Sequence, residues 1–144
     1  MLVTVAIIAI MVTVVSPSIS AGLDAIRMAS ATTSVSAFLN AAVNRAERRQ
    51  TAVEVVISSP DSTLTAYSNE ADFHRELKLP NGILIESVLP VVDDNGEGVR
   101  RLILMPGASV PGIGVQLANR RGGRRIVRLD PMTGFPRTEN VTGQ

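Results

Sequence analysis

The chain has 144 residues and no cysteine, which excludes disulfides, thiolate metal sites and thiol nucleophiles, and it is long enough for one small domain and nothing larger. Its net charge of +1 gives no global pull toward nucleic acid, although thirteen of the fourteen basic residues are arginine, Lys78 being the exception, and they are unevenly spread.

From Met1 to Val15 there is no charged residue, only Met, Leu, Val, Ile, Ala and two threonines. Residues 1–16 therefore read as a transmembrane helix segment, although crossing the hydrocarbon takes about 20 apolar residues and this run is shorter. Two alternatives stand beside that reading. Ser18-Ile19-Ser20-Ala21 offers the small residues of a signal-peptide cleavage site, but no basic residue precedes the apolar run. A buried core helix would also be apolar, yet a run apolar on every face followed by a polar-faced continuation suits a soluble core poorly.

Residues 17–50 read as an amphipathic helix continuing into a head. Val35, Phe38, Leu39, Ala42, Val43 and Ala46 recur at three- and four-residue spacing and share a face. Ser36, Asn40, Asn44, Glu47 and Arg48 form the solvated side, and Arg45, Arg48 and Arg49 complement the carbonyl end of the helix dipole. Earlier in this segment Ala21, Gly22, Ala25, Ala29, Ser30, Ala31 and Ser34 keep the surface small, which lets other helices approach closely. Pro17 lacks an N–H and crowds the preceding turn, so a kink or a locally melted turn is expected there.

Beyond residue 50 the period changes. Ala52–Ser58 and Thr63–Tyr67 flank the turn residues Ser59-Pro60-Asp61-Ser62 as a first hairpin. Phe73–Leu79 and Ile83–Val88 flank Pro80-Asn81-Gly82 as an expected second hairpin. Arg101–Met105, Gly114–Ala118 and Arg125–Leu129 complete six or seven short strands, so residues 51–144 form a β-rich head. The predicted fold class is α+β: a long N-terminal helix packed on a small antiparallel β-sheet or β-sandwich.

At this point the residues resemble those of a type IV pilin-like protein, and more closely a minor pseudopilin of the H type from type II secretion systems. Leu2–Ile10 is similar to the apolar start of a mature pilin helix, with Pro17 at that family's helix-breaking proline. Leu79-Pro80-Asn81-Gly82-Ile83 resembles its strand-ending Leu-Pro-x-Gly-Val/Ile, and Leu104-Met105-Pro106-Gly107-Ala108-Ser109 its Phe-x-Pro-x-Gly-x-Ser loop, one residue shorter. Asp130-Pro131-Met132-Thr133-Gly134 resembles the closing segment whose Thr-Gly turn precedes the last strand. The family's basic leader, Phe-Thr-Leu start and glutamate are not in the sequence, which is expected to begin late. The resemblance implies a single-pass protein of the bacterial inner membrane with its head in the periplasm, processed by a prepilin peptidase with N-methylation on the full-length precursor. It further implies that the helix bundles with other pseudopilins in a periplasmic pseudopilus that serves protein transport, with Ala21, Gly22, Ala25, Ala29 and Ser34 at the packing surface.

Arg120, Arg121, Arg124, Arg125 and Arg128 concentrate charge around Gly122-Gly123 and are candidate contacts for a partner or for DNA phosphates. DNA-binding minor pilins of natural transformation resemble this chain too and supply the alternative function. Their tail carries arginines directly after the Thr-Gly pair, whereas here Phe135-Pro136 intervenes; with three Phe and one Tyr, stacking partners are also scarce. Nucleic acid is accordingly the disfavoured partner, and acids on a neighbouring subunit the favoured one. No cofactor or metal is implied. His74 stands alone, and Asp93, Asp94, Asn95 and Glu97 do not match the calcium-loop spacing. Nothing assembles a catalytic constellation, so the chain is read as no enzyme.

Overall fold

The computed structural model describes residues 1–70, 73–92 and 96–141, with the side chains of residues 15–17 outside the description. One long helix packs on two antiparallel four-stranded sheets, an α+β fold. Helix α1 runs from Leu2 to Arg49. Its helical assignment continues through Pro17, so the melted turn expected there is not formed. At the far end Gln50 closes the helix with φ 53°, and its Nε2 donates to the Glu47 carbonyl at 2.6 Å.

The strands are β1 (Val53–Ser58), β2 (Thr63–Ser68), β3 (His74–Lys78), β4 (Ile83–Leu89), β5 (Val99–Leu104), β6 (Gly114–Asn119), β7 (Arg124–Leu129) and β8 (Pro136–Asn140). One sheet has the order β3-β2-β1-β5 and the other β4-β6-β7-β8, with every pairing antiparallel. The first expected hairpin is present, with Ser58 opposite Thr63. The second is not. Pro80-Asn81-Gly82 does turn the chain, with the Ile83 N–H donating to the Pro80 carbonyl, but β3 pairs with β2 while β4 crosses to the other sheet and pairs with β6. Strand β4 buries Ile83 and Ile85 on one face and exposes Leu84 on the other; β3 is mostly exposed, with Leu77 half-buried at its core-side edge. The two strands therefore suit different places in the core. β8 adds to the strands read from hydrophobic pattern alone; it is polar throughout and sits at a sheet edge, where a first-position proline is tolerated.

The core joins the helix to both sheets. Val35, Leu39, Val53, Val55, Ile57, Leu64, Val115, Leu117, Val127 and Leu129 are fully buried, and each such side chain contributes about 1.5–3 kcal/mol through lost apolar surface. The helix face predicted from Val35 onward is the one used, but it begins two turns earlier, at Met28, and includes Ala31 and Thr32. Ala31 thus packs inside the head, away from the small outer surface to which its neighbours belong. Thr32 is buried without penalty because its hydroxyl donates to the Met28 carbonyl at 2.6 Å. Near the helix end, the Gly107 N–H donates to Glu47 Oε1 at 3.1 Å, tying the loop after β5 to α1. The apolar side chains from Leu2 to Val14 take no part in this core: none of the large ones is less than 50% exposed.

Candidate functional site

Two surfaces carry the residues singled out from the sequence: the uncovered flank of α1 and the β6–β7 hairpin. An α-helix advances about 100° per residue. On that geometry Ile19, Leu23 and Ile26 form one stripe directly opposite the buried face that runs from Met28 to Ala46, and all three are exposed. Gly22 and Ala29 line one flank of that stripe, while Ala25 and Ala21, at four-residue spacing before Ala29, step about 40° each further round toward the direction of the buried face; all four are exposed. A methyl group built on Gly22 would meet nothing within 4 Å, so its surface is open. Ser34 lies on the other flank of the stripe, about 20° round from Leu23 and about 140° from Ala29, and is half-buried. The isoleucine and leucine stripe, legible from its three- and four-residue spacing, was not singled out by sequence reasoning, which attended to the small residues.

The helix as a whole is long and apolar enough to cross a membrane, with an 18-residue window of mean hydropathy 2.4 of which nothing is buried by the head. Among the described residues it is the one helix that meets this test of length and composition, and it lies near the N terminus, where a signal sequence would meet it too.

The β6–β7 hairpin is shaped by one side chain. Asn119 Oδ1 accepts from the Arg121 N–H at 3.0 Å and from the Gly123 N–H at 2.7 Å, while the Asn119 N–H donates to the Gly123 carbonyl. Gly122 takes φ +83°, and a Cβ at Gly123 would fall 2.8 Å from Asn119 Nδ2, so this loop needs both glycines.

The five arginines around it then part ways. Arg121 reaches the helix, its Nε donating to Asp24 Oδ2 at 2.9 Å and its guanidinium to the Ser20 hydroxyl at 2.6 Å; Arg27 adds a longer contact to Asp24 at 3.9 Å. Arg124 donates to Glu86 Oε1 at 2.7 Å, and the Gln116 amide donates to Oε2 of the same carboxylate at 2.6 Å. The Arg124 bond, assisted by Gln116, holds the Glu86 carboxyl below its usual range. Arg128 lies 3.7 Å from Glu139 on the neighbouring strand. Among the described residues Arg120 and Arg125 form no ion pair. Arg137, on β8, pairs with Asp130 at 3.2 Å, and the Met132 N–H is the chief cause that holds the Asp130 carboxyl below its usual range. The sequence gives no sign of these acid partners, because Asp24 and Glu86 are nearly 100 and 40 residues away from the arginines they hold.

A second basic groove that sequence reasoning missed lies at the other end of the head. Arg45, Arg48, Arg49 and Arg75 line an open cavity of about 490 Å³ with Phe73. Arg45 is spoken for: it bonds Glu70 at 3.3 Å, and its guanidinium carbon stacks 4.7 Å from the Phe73 ring centre. Helical spacing alone could have flagged Arg45, Arg48 and Arg49, but not Arg75, which the fold brings to them from β3.

Among the described residues no three His, Asp or Glu side chains gather in a way that could hold a metal ion. His74 is exposed on β3. Asp93, Asp94 and Asn95 of the acidic loop lie outside the described residues. Compared with family models, curated proteins and solved structures, the chain has no match.

Proposed function

We propose that this chain is a minor pseudopilin, a structural subunit of the periplasmic pseudopilus of a type II protein secretion system. The observation that carries the reading is the division of labour along one helix: an apolar half that the head leaves bare, and a second half whose buried face completes the head's core. Such a subunit is anchored through the apolar segment to which residues 1–16 belong, and it adds to a fibre by pressing helices together. The exposed Ile19–Leu23–Ile26 stripe, flanked by Gly22 and Ala29 with Ala25 and Ala21 further round, supplies the apolar but close-approaching surface that helix bundling needs. Its partners are then other pseudopilins, and the inner membrane holds it with the head in the periplasm. In that role it has no catalytic work.

The test is mass spectrometry of the mature N terminus of the protein expressed from its full gene with any upstream in-frame codons. An N-methylated residue a few positions before Met1 is the expected result. A mature end near Ala21 would show a cleaved signal peptide and overturn the reading.

A further inference from the structure

One edge of the head and the helix flank beside it have unused bonding capacity of two kinds. Strand β3 is the outermost strand of the order β3-β2-β1-β5. Along its pairing with β2 the Ser68 N–H donates to the Phe73 carbonyl and the Leu79 N–H to the Ser62 carbonyl, and in an antiparallel ladder such bonds recur at every second residue. Phe73, Arg75, Leu77 and Leu79 therefore direct their main-chain groups at β2. His74, Glu76 and Lys78 turn theirs outward, a row of N–H and carbonyl groups with no hydrogen-bond partner among the described residues.

Side chains alternate with the same period. Phe73 and Leu77 pack against the core, so Arg75 between them lies on the face that meets α1. There it lines the open cavity of about 490 Å³ together with Arg45, Arg48 and Arg49 of the helix. Arg48, Arg49 and Arg75 are exposed and, among the described residues, form no ion pair, while the Glu70 carboxylate beside them is already held by Arg45.

A free strand edge next to an unneutralised arginine groove fits an extended acidic segment. Laid antiparallel on β3, as the strands of this sheet are laid on one another, such a segment bonds the outward groups of His74, Glu76 and Lys78 and sends alternate side chains toward α1. Residues opposite Phe73, Arg75 and Leu77 then stand in the closer kind of cross-strand pair, with Cα atoms about 4.5 Å apart. An acid opposite Arg75 meets its guanidinium, an acid opposite Phe73 enters the cavity that Arg48 and Arg49 line, and an apolar residue suits half-buried Leu77. Nucleic acid fits this place less well, since it has no main-chain groups at strand spacing for β3 and Arg45 already stacks on Phe73, the aromatic ring of the groove.

We propose that the β3 edge and the arginine groove together bind an extended acidic segment of a partner protein, added to the sheet as a fifth strand with the pattern apolar-x-acid-x-acid. The inference is independent of how α1 is anchored, because the edge and the groove both belong to the head.

The probe is the fluorescein-labelled peptide Thr-Thr-Val-Thr-Glu-Thr-Glu-amide, titrated with the full chain in uncharged detergent micelles and followed by fluorescence anisotropy. Saturable binding is expected. It should weaken about ten-fold or more when both glutamates of the peptide become glutamine, and equally when the chain carries Arg48→Gln with Arg75→Gln, two exposed residues. Arg120→Gln, on the β6–β7 hairpin, should leave it unchanged. Strand addition has a signature of its own: an N-methyl group on the threonine after valine, opposite Glu76, blocks a bond to β3 and should abolish binding, while one on the first glutamate, opposite Arg75, faces away from β3 and should be tolerated. No saturable binding, binding that survives Arg48→Gln with Arg75→Gln, or equal effects of the two N-methyl groups overturns the proposal. So does a short DNA duplex that binds through Arg48 and Arg75 where the peptide does not.

Discussion

The two halves of α1 have the same secondary structure for opposite reasons. From Leu2 to Val14 every side is apolar and every side is bare, so nothing in the head selects helix there; an apolar surrounding that leaves backbone groups no partner but each other would. From Met28 to Ala46 one stripe is buried to a few per cent and the rest faces water, the ordinary pattern of a helix held by tertiary packing. What separates the halves is the solvent each is matched to, and the boundary falls between Ile19 and Met28, where Arg121 clasps the helix.

The sharpest way to break this comparison is a matched pair of truncations. Leu39→Ala, at a fully buried site, should cost the head about 2–5 kcal/mol, while Ile8→Ala should change it by less than about 0.5 kcal/mol, measured by urea unfolding of the full chain in mild detergent. Similar losses from the two would mean that the apolar half supports the head after all. The converse substitution is Ile8→Asp, which should disfavour insertion by about 2.5–3.5 kcal/mol. Alkaline extraction should then release more of the chain from membranes while near-ultraviolet circular dichroism of the head stays unchanged.

Smaller effects sharpen the boundary itself. Asp24→Asn removes the clasp on Arg121 and should cost no more than about 1 kcal/mol, the worth of an exposed pair. Faster amide exchange confined to the β6–β7 hairpin is the expected signature, and exchange unchanged there would show that Asn119 alone shapes the loop. Least of all is a pH effect through Glu86. Its folded carboxyl lies below the ordinary 4.5 because Arg124 and Gln116 bond its ionised form. Its contribution is thus complete above that value and is lost as the pH falls through the lower folded one. Urea midpoints followed downward from neutral pH should decline less steeply in Glu86→Gln than in the parent, and parallel curves would remove Glu86 from the account.

Much of this was legible in the sequence for local reasons. The change of period at residue 50 marks the end of the helix, and β-branched runs bounded by turn residues mark β1, β2, β6 and β7 within a residue or so. What local pattern could not supply was choice of partner. Pro80-Asn81-Gly82 is a real turn, yet whether the strands on its two sides pair depends on the core each must cover, and Ile83 and Ile85 are drawn to the sheet of Val115 and Leu117. β8 escaped hydrophobic patterning because a polar edge strand buries little. At the candidate site the arginines were visible as a cluster, but their division into paired and unpaired members depends on Asp24 and Glu86, which only folding brings near. Ser34, about 20° round from exposed Leu23, is half-buried, which its spacing from the alanines does not tell.

The unbroken helix has a mechanical consequence. Rooted in the head through Val35 and Leu39 and closed by the Glu47–Gly107 bond, it carries the head as a screw carries its nut. Because rod and head are joined rigidly in this way, any rise or turn of the rod is passed undiminished to the head.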